Sequence, residues 1–169
     1  VNQLQITDAA LMEKQIEQDK KQFVGVELLG KTLGVIGLGS IGVKVANSAM
    51  NLGMHVIGYD PTITVNRAWE LSSGVEQAQQ IEAVLKASDF ITFHVPLNDA
   101  TKNMLNTERF ALLKKGVVLL NFSRDGIIDN AALLGALEQK KIAAYVSDFP
   151  NIELKKFREV ISLPHLGAS

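Results

Sequence analysis

The sequence predicts an α/β fold in which helices cover both faces of a doubly wound parallel sheet. Three observations lead there. From Lys31 onward, short β-branched runs alternate with helix-like stretches; several of these runs are apolar nearly throughout; and a glycine-rich turn joins the first run to the first helix. A strand with one wet face alternates polar and apolar residues, whereas a strand covered on both faces reads as a continuous hydrophobic run. Regular strand–helix alternation implies right-handed βαβ units.

Strands are predicted at 33–36, 55–59, 90–95, 117–121, 142–146 and 160–163, with helices at 41–52, 77–86, 107–114 and 130–140. No internal repeat or low-complexity tract interrupts them. The division expected is an arm and connector over 1–29 and a nucleotide-binding domain over 30–169. Up to about residue 22 the arm is polar, with apolar positions at Leu11, Met12 and Ile16. That pattern predicts a mostly solvated helix, which could pack between subunits or simply line the surface.

Bulk properties narrow the function classes. The 169 residues carry 17 Lys+Arg against 18 Asp+Glu, a formal net charge of −1. That balance offers no basic excess to neutralise a phosphate backbone, so nucleic acid is not expected as a partner. There are no cysteines, which excludes disulfides and thiolate chemistry and fits a cytoplasmic protein. No apolar run has the length of a membrane span, and the first residues lack the basic-then-apolar order of a signal peptide. The chain has no initiator Met and stops where a loop is expected to start, so both ends read as cuts in a longer protein.

The turn Gly37-Leu38-Gly39-Ser40-Ile41-Gly42 spells G-x-G-x-x-G, and Asp60 follows Gly42 by 18 residues at the end of the next run. Alone, the glycine pattern is weak. Between a strand and an apolar helix, with an acid after the second strand, it is the dinucleotide fingerprint of a Rossmann domain. Gly37 would permit the tight turn, Gly39 the approach of a pyrophosphate, and Gly42 the close packing of helix on strand. The backbone N–H groups of Ser40 and Ile41 would face the anion at the positive end of the helix. Asp60 would accept the ribose hydroxyls and repel a 2′-phosphate, which favours NAD over NADP.

Three later segments fall at strand ends: Phe122-Ser123-Arg124, then Asp148 with Glu153 five residues beyond, then Pro164-His165. An Arg, a carboxylate and a His on one sheet edge suit the reduction of a 2-oxo acid. The guanidinium fork can hold the carboxylate and carbonyl. The imidazole can give a proton to the carbonyl oxygen, and a carboxylate beside it would fix the ring. Glu153 is the carboxylate expected to do so, with Glu159 as the alternative. His55 is expected to be structural. His94, in His94-Val95-Pro96, is expected to shape the cofactor groove.

From about Gly30 to Ser169 these motifs resemble the D-isomer-specific 2-hydroxyacid dehydrogenases. The resemblance implies catalytic roles for Arg124 (substrate binding), His165 (acid–base) and Glu153 (support of His165). It implies cofactor contacts from Ser40, Ile41, Asp60, Phe122, Ser123, Arg124, Asp148, His165 and Gly167, with Asp148 facing the nicotinamide amide. It further implies NAD as cofactor, a homodimer formed through the cofactor domains, and a substrate-binding domain absent from this chain. Within the family, residues 121–125, 147–151 and 166–169 are most similar to the branch acting on 3-phosphoglycerate in serine synthesis. Some relatives are NAD(H)-sensing corepressors, and the motifs alone leave that reading open. Asp125 departs from the Gly that often follows the Arg, and Leu154 from the Pro that often follows the Glu.

Overall fold

The computed structural model describes residues 25–165. Seven parallel strands lie in the order β3-β2-β1-β4-β5-β6-β7. They are β1 (Thr32–Ile36), β2 (His55–Tyr59), β3 (Glu76–Gln77), β4 (Phe90–Phe93), β5 (Val117–Asn121), β6 (Ile142–Ser147) and β7 (Val160–Ser162). The helices are α1 (Ser40–Asn51), α2 (Val65–Glu70), α3 (Ile81–Ala87), α4 (Thr107–Leu112) and α5 (Asn130–Glu138), with a 3-10 helix at Ile152–Lys156. The arm expected over residues 1–22 lies outside the described residues, as does Gly167.

Alternation along β1 divides the core. Leu33 and Val35 pack with Val43 and Ala46 of α1 and Val56 of β2 on one face. Ile36 packs on the other with Val84 and Leu85 of α3, Phe93 of β4, Phe110 of α4 and Leu133 of α5. Phe93, Ile36 and Leu119 are fully buried, and a side chain of that size contributes about 1.5–3 kcal/mol when removed from water. This two-sided burial is why the β1, β4 and β5 runs carry so few polar residues.

The predicted fold class is the one observed, and the differences lie at its polar margins. Neither α2 nor β3 was expected. Helix α2 buries none of its residues and so has no apolar stripe to read; it rests on a Thr64 cap and a 2.6 Å Arg67–Glu70 pair. Strand β3 is two exposed polar residues on the sheet edge, and the helix expected from residue 77 begins only at Ile81. Helix α5 stops at Glu138, and Lys140 just beyond it adopts φ +52°.

Strand order reverses between β1 and β4. The chain leaves β1 for β2 and β3, then returns across the sheet to β4, opening a crevice at the carboxyl ends of the two central strands. Ligands of open α/β sheets bind at such a switch point.

Candidate active site

Register places the site. Tyr59, Ile36, Phe93, Asn121, Ser147 and Ser162 are successive partners across six strands, forming one line along the carboxyl edge. Asp60, Gly37, His94, Phe122 and Asp148 each lie one residue past that line, and Arg124 and His165 lie three past it. Motifs scattered along the sequence are therefore neighbours on one shelf.

The fingerprint turn closes around its glycines. Gly37 has φ +94°, and a Cβ there would come within 2.7 Å of the His94 carbonyl oxygen. A Cβ on Gly42 would fall 1.9 Å from the Gly37 oxygen, so neither residue tolerates a side chain without backbone movement. Around Gly39 a Cβ would meet nothing within 4 Å. Gly39 caps α1 without a side-chain hydrogen bond, and the first turn holds no acid. The exposed N-terminal end of α1 thus presents unoccupied backbone donors where its dipole favours an anion.

Asp60 is held on both oxygens. Oδ2 accepts from the Leu38 N–H at 2.8 Å; Oδ1 accepts from the Thr62 N–H at 2.8 Å and from the Thr62 hydroxyl at 3.0 Å. The carboxylate is fixed against the glycine turn. His94 leaves β4 with Nε2 3.0 Å from the Thr92 hydroxyl, and burial holds the ring below the usual imidazole pKa.

Asn121 ends β5 with 1% of its surface exposed. Its amide donates to the Arg124 carbonyl at 3.0 Å and accepts from the Ser123 N–H at 3.2 Å. The Ser123 hydroxyl donates to the Val95 carbonyl, tying this loop to the segment after β4. The Arg124 guanidinium is exposed and, among the described residues, reaches only the Ser123 carbonyl, at 2.7 Å. On the adjacent strand, Ser147 accepts from the Phe149 N–H at 3.1 Å, turning the chain after Asp148 in the same manner. Asn121 and Ser147 had no expected role; the available signal was a polar residue closing an otherwise apolar strand.

Asp148 is 3% exposed and meets His165, with Oδ2 2.9 Å from Nδ1. The Phe149 ring lies 5.2 Å from the imidazole, tilted by 44°. Glu153 is the acid expected in this place. Leu154 is buried and fixes how the 3-10 helix sits, leaving Glu153 exposed with its backbone N–H on Asn151 at 2.9 Å. Among the described residues, the carboxylate against the imidazole is that of Asp148. Glu159 meets β6 through its carbonyl, which accepts the Tyr145 N–H. His55 begins β2 as an exposed residue.

Residues 1–167 match the family model described as D-isomer specific 2-hydroxyacid dehydrogenase, NAD binding domain. The chain belongs to that family. It is 44% identical over 97% of its length to a D-3-phosphoglycerate dehydrogenase of Methanocaldococcus jannaschii, and equally to one of Bacillus subtilis. The chain spans about a third (32%) of the length of either relative. Among solved structures, apo D-mandelate dehydrogenase of Rhodotorula graminis superposes with TM-score 0.80 at 25% identity, over 96% of this chain and 48% of that one. D-lactate dehydrogenase of Aquifex aeolicus, complexed with NAD and lactic acid, gives TM-score 0.70 at 33% identity, over 85% and 44%.

The cofactor of this dehydrogenase-family domain is NAD, and the residues present fit it. The open surround of Gly39 and the uncapped α1 N-terminus suit a pyrophosphate. Asp60 is fixed where a ribose would need acceptors. Asp148 Oδ1 is buried without a hydrogen-bond partner. A buried carboxylate oxygen left unpaired is costly, and a carboxamide N–H would satisfy it. No helix among the described residues is long and apolar enough to cross a membrane.

Proposed function

We propose that this chain is the cofactor-binding part of an NAD-dependent dehydrogenase interconverting a D-2-hydroxy acid and its 2-oxo acid. The observation that carries the reading is the Asp148–His165 pair on the same sheet edge as the Arg124 loop and the glycine turn. NAD, when bound, supplies the hydride acceptor or donor. Arg124 holds the substrate carboxylate through paired charge-assisted hydrogen bonds. His165 gives a proton to the carbonyl oxygen during reduction and takes one from the hydroxyl during oxidation. Asp148 orients the ring through Nδ1, leaves Nε2 to face the substrate, and stabilises the imidazolium. Glu153 remains a candidate for supporting the same ring.

The substrate pair proposed is 3-phosphoglycerate and 3-phosphohydroxypyruvate, which would place the enzyme in serine biosynthesis; the names of the most similar relatives support this. The domain division at residues 29 and 30, a homodimer formed through the cofactor domains and a cytoplasmic location complete the proposal. The groups that would read the substrate phosphate are expected in the part of the relatives' length that this chain does not span.

The test is turnover by the intact enzyme carrying this domain, with phosphohydroxypyruvate compared against glyoxylate, pyruvate and hydroxypyruvate. NADH oxidation is expected with phosphohydroxypyruvate preferred, and Arg124→Ala and His165→Ala should each abolish it while NADH binding persists. Tight NADH binding without turnover of any 2-oxo acid would instead favour a cofactor-sensing protein. Full activity in both variants would end the mechanism.

A further inference from the structure

The Arg124 guanidinium poses a question of placement. It is exposed, and among the described residues its one hydrogen bond runs to the carbonyl of the preceding residue. No carboxylate pairs with it among the described residues. Whatever aims this side chain must act through the backbone of its loop.

Two side-chain ties hold that backbone. The Asn121 amide spans the loop from inside, donating to the Arg124 carbonyl at 3.0 Å and accepting the Ser123 N–H at 3.2 Å. The Ser123 hydroxyl grips the Val95 carbonyl in the segment after the neighbouring strand β4. Asn121 is itself fixed: it is 1% exposed, and its Cα registers with Phe93 on one side and Ser147 on the other. Asn supplies one donor and one acceptor on a short stem, which is what a carbonyl and an N–H in the same loop require.

We infer that Asn121 is the positioning residue of the substrate-binding arginine, clamping the Arg124 loop so that the guanidinium meets the substrate carboxylate without a side-chain partner of its own. Neither alternative side chain does this. Aspartate would place a carboxylate oxygen against the Arg124 carbonyl, acceptor facing acceptor, and serine is too short to reach both groups. This assignment rests on the function proposed above.

The experiment uses the intact enzyme with Asn121→Asp and Asn121→Ser, read by steady-state kinetics with the 2-oxo acid, NADH calorimetry and thermal denaturation. Misplacing a substrate-holding group by about 1 Å costs on the order of 10²-fold, so kcat/KM for the oxo acid is expected to fall about thirtyfold or more, largely through KM. NADH affinity should stay within about threefold, because the glycine turn and Asp60 are untouched. The inhibition constant of oxamate, which mimics the oxo acid at the arginine, should rise in parallel. Variants matching the parent overturn the inference alone. So does equal loss of NADH binding, thermal stability and turnover, which marks a merely structural residue. A parent enzyme that turns over no 2-oxo acid overturns the proposed function, and this assignment with it. Should neither variant fold, amide exchange in the parent decides: the Ser123 N–H should be protected although its loop lies at the surface, and free exchange there overturns the clamp.

Discussion

His165 Nδ1 lies 2.9 Å from Asp148 Oδ2, joining the loops that follow the last two strands of the sheet. The carboxylate is buried while the imidazole is largely exposed, so the acid is the fixed member of the pair and the ring the accessible one. A buried carboxylate can fix an imidazole tautomer and stabilise its protonated form.

Asp148→Asn is therefore expected to lower kcat/KM by about 10²-fold or more, the usual scale for impairing an acid–base group. Glu153→Gln should cost less than about tenfold, which corresponds to 1.4 kcal/mol of barrier. The two variants compared in one turnover assay check the assignment; the reverse ranking would restore Glu153 as the supporting acid.

Gly42 and Gly39 should respond differently to the same methyl group. Gly42→Ala places a Cβ on the Gly37 carbonyl, and overpacking of that kind costs about 1–3 kcal/mol or more. Its melting temperature and NADH binding are expected to fall together. Gly39→Ala meets open space, so it should fold as the parent does and lose cofactor affinity alone. Melting curves and calorimetry on both proteins provide the check.

At Asp60 the expected effect is on selectivity. A hydrogen bond to a charged group contributes about 1.5–3 kcal/mol, so Asp60→Ala should weaken NADH binding by about 10- to 100-fold. NADPH, relieved of the repulsion between this carboxylate and its 2′-phosphate, should weaken less or improve. Fluorescence titration with both cofactors measures the ratio; an unchanged ratio would remove Asp60 from cofactor selection.

His94 gives a pH dependence of stability. Burial lowers its pKa in the folded state below the ordinary 6.5. Above 6.5 both states hold a neutral ring and the group makes no difference. As pH falls from 6.5 toward the lowered value, the unfolded chain takes up the proton first and stability declines; below the folded value the loss is complete. Denaturant midpoints between pH 7 and 5 should show this decline in the parent and a shallower one in His94→Gln.

The architecture was legible because its strands are buried on both faces, and this leaves unbroken apolar runs such as residues 117–120. The glycine turn was legible because close backbone approach at Gly37 and Gly42 leaves no other residue able to stand there. Helix α2 and strand β3 were not, because segments that bury nothing carry no hydrophobic period. The partner of His165 was not legible either. Asp148 and Glu153 are both acids after the same strand, and only the burial of Leu154 on the 3-10 helix separates the inward carboxylate from the outward one. The role of Asn121 leaves no mark in the sequence, because its hydrogen bonds run to backbone atoms, which no residue pattern displays.

Strand β7 has three residues and one ladder, to β6, whereas β4 sits between two ladders at the centre of the sheet. The imidazole is thus suspended from a short edge plank of the platform, whereas the glycine turn follows β1, a plank held from both sides. A small outward swing of β7 would carry the imidazole away while leaving the glycine turn intact, so one end of the shelf can breathe without disturbing the other.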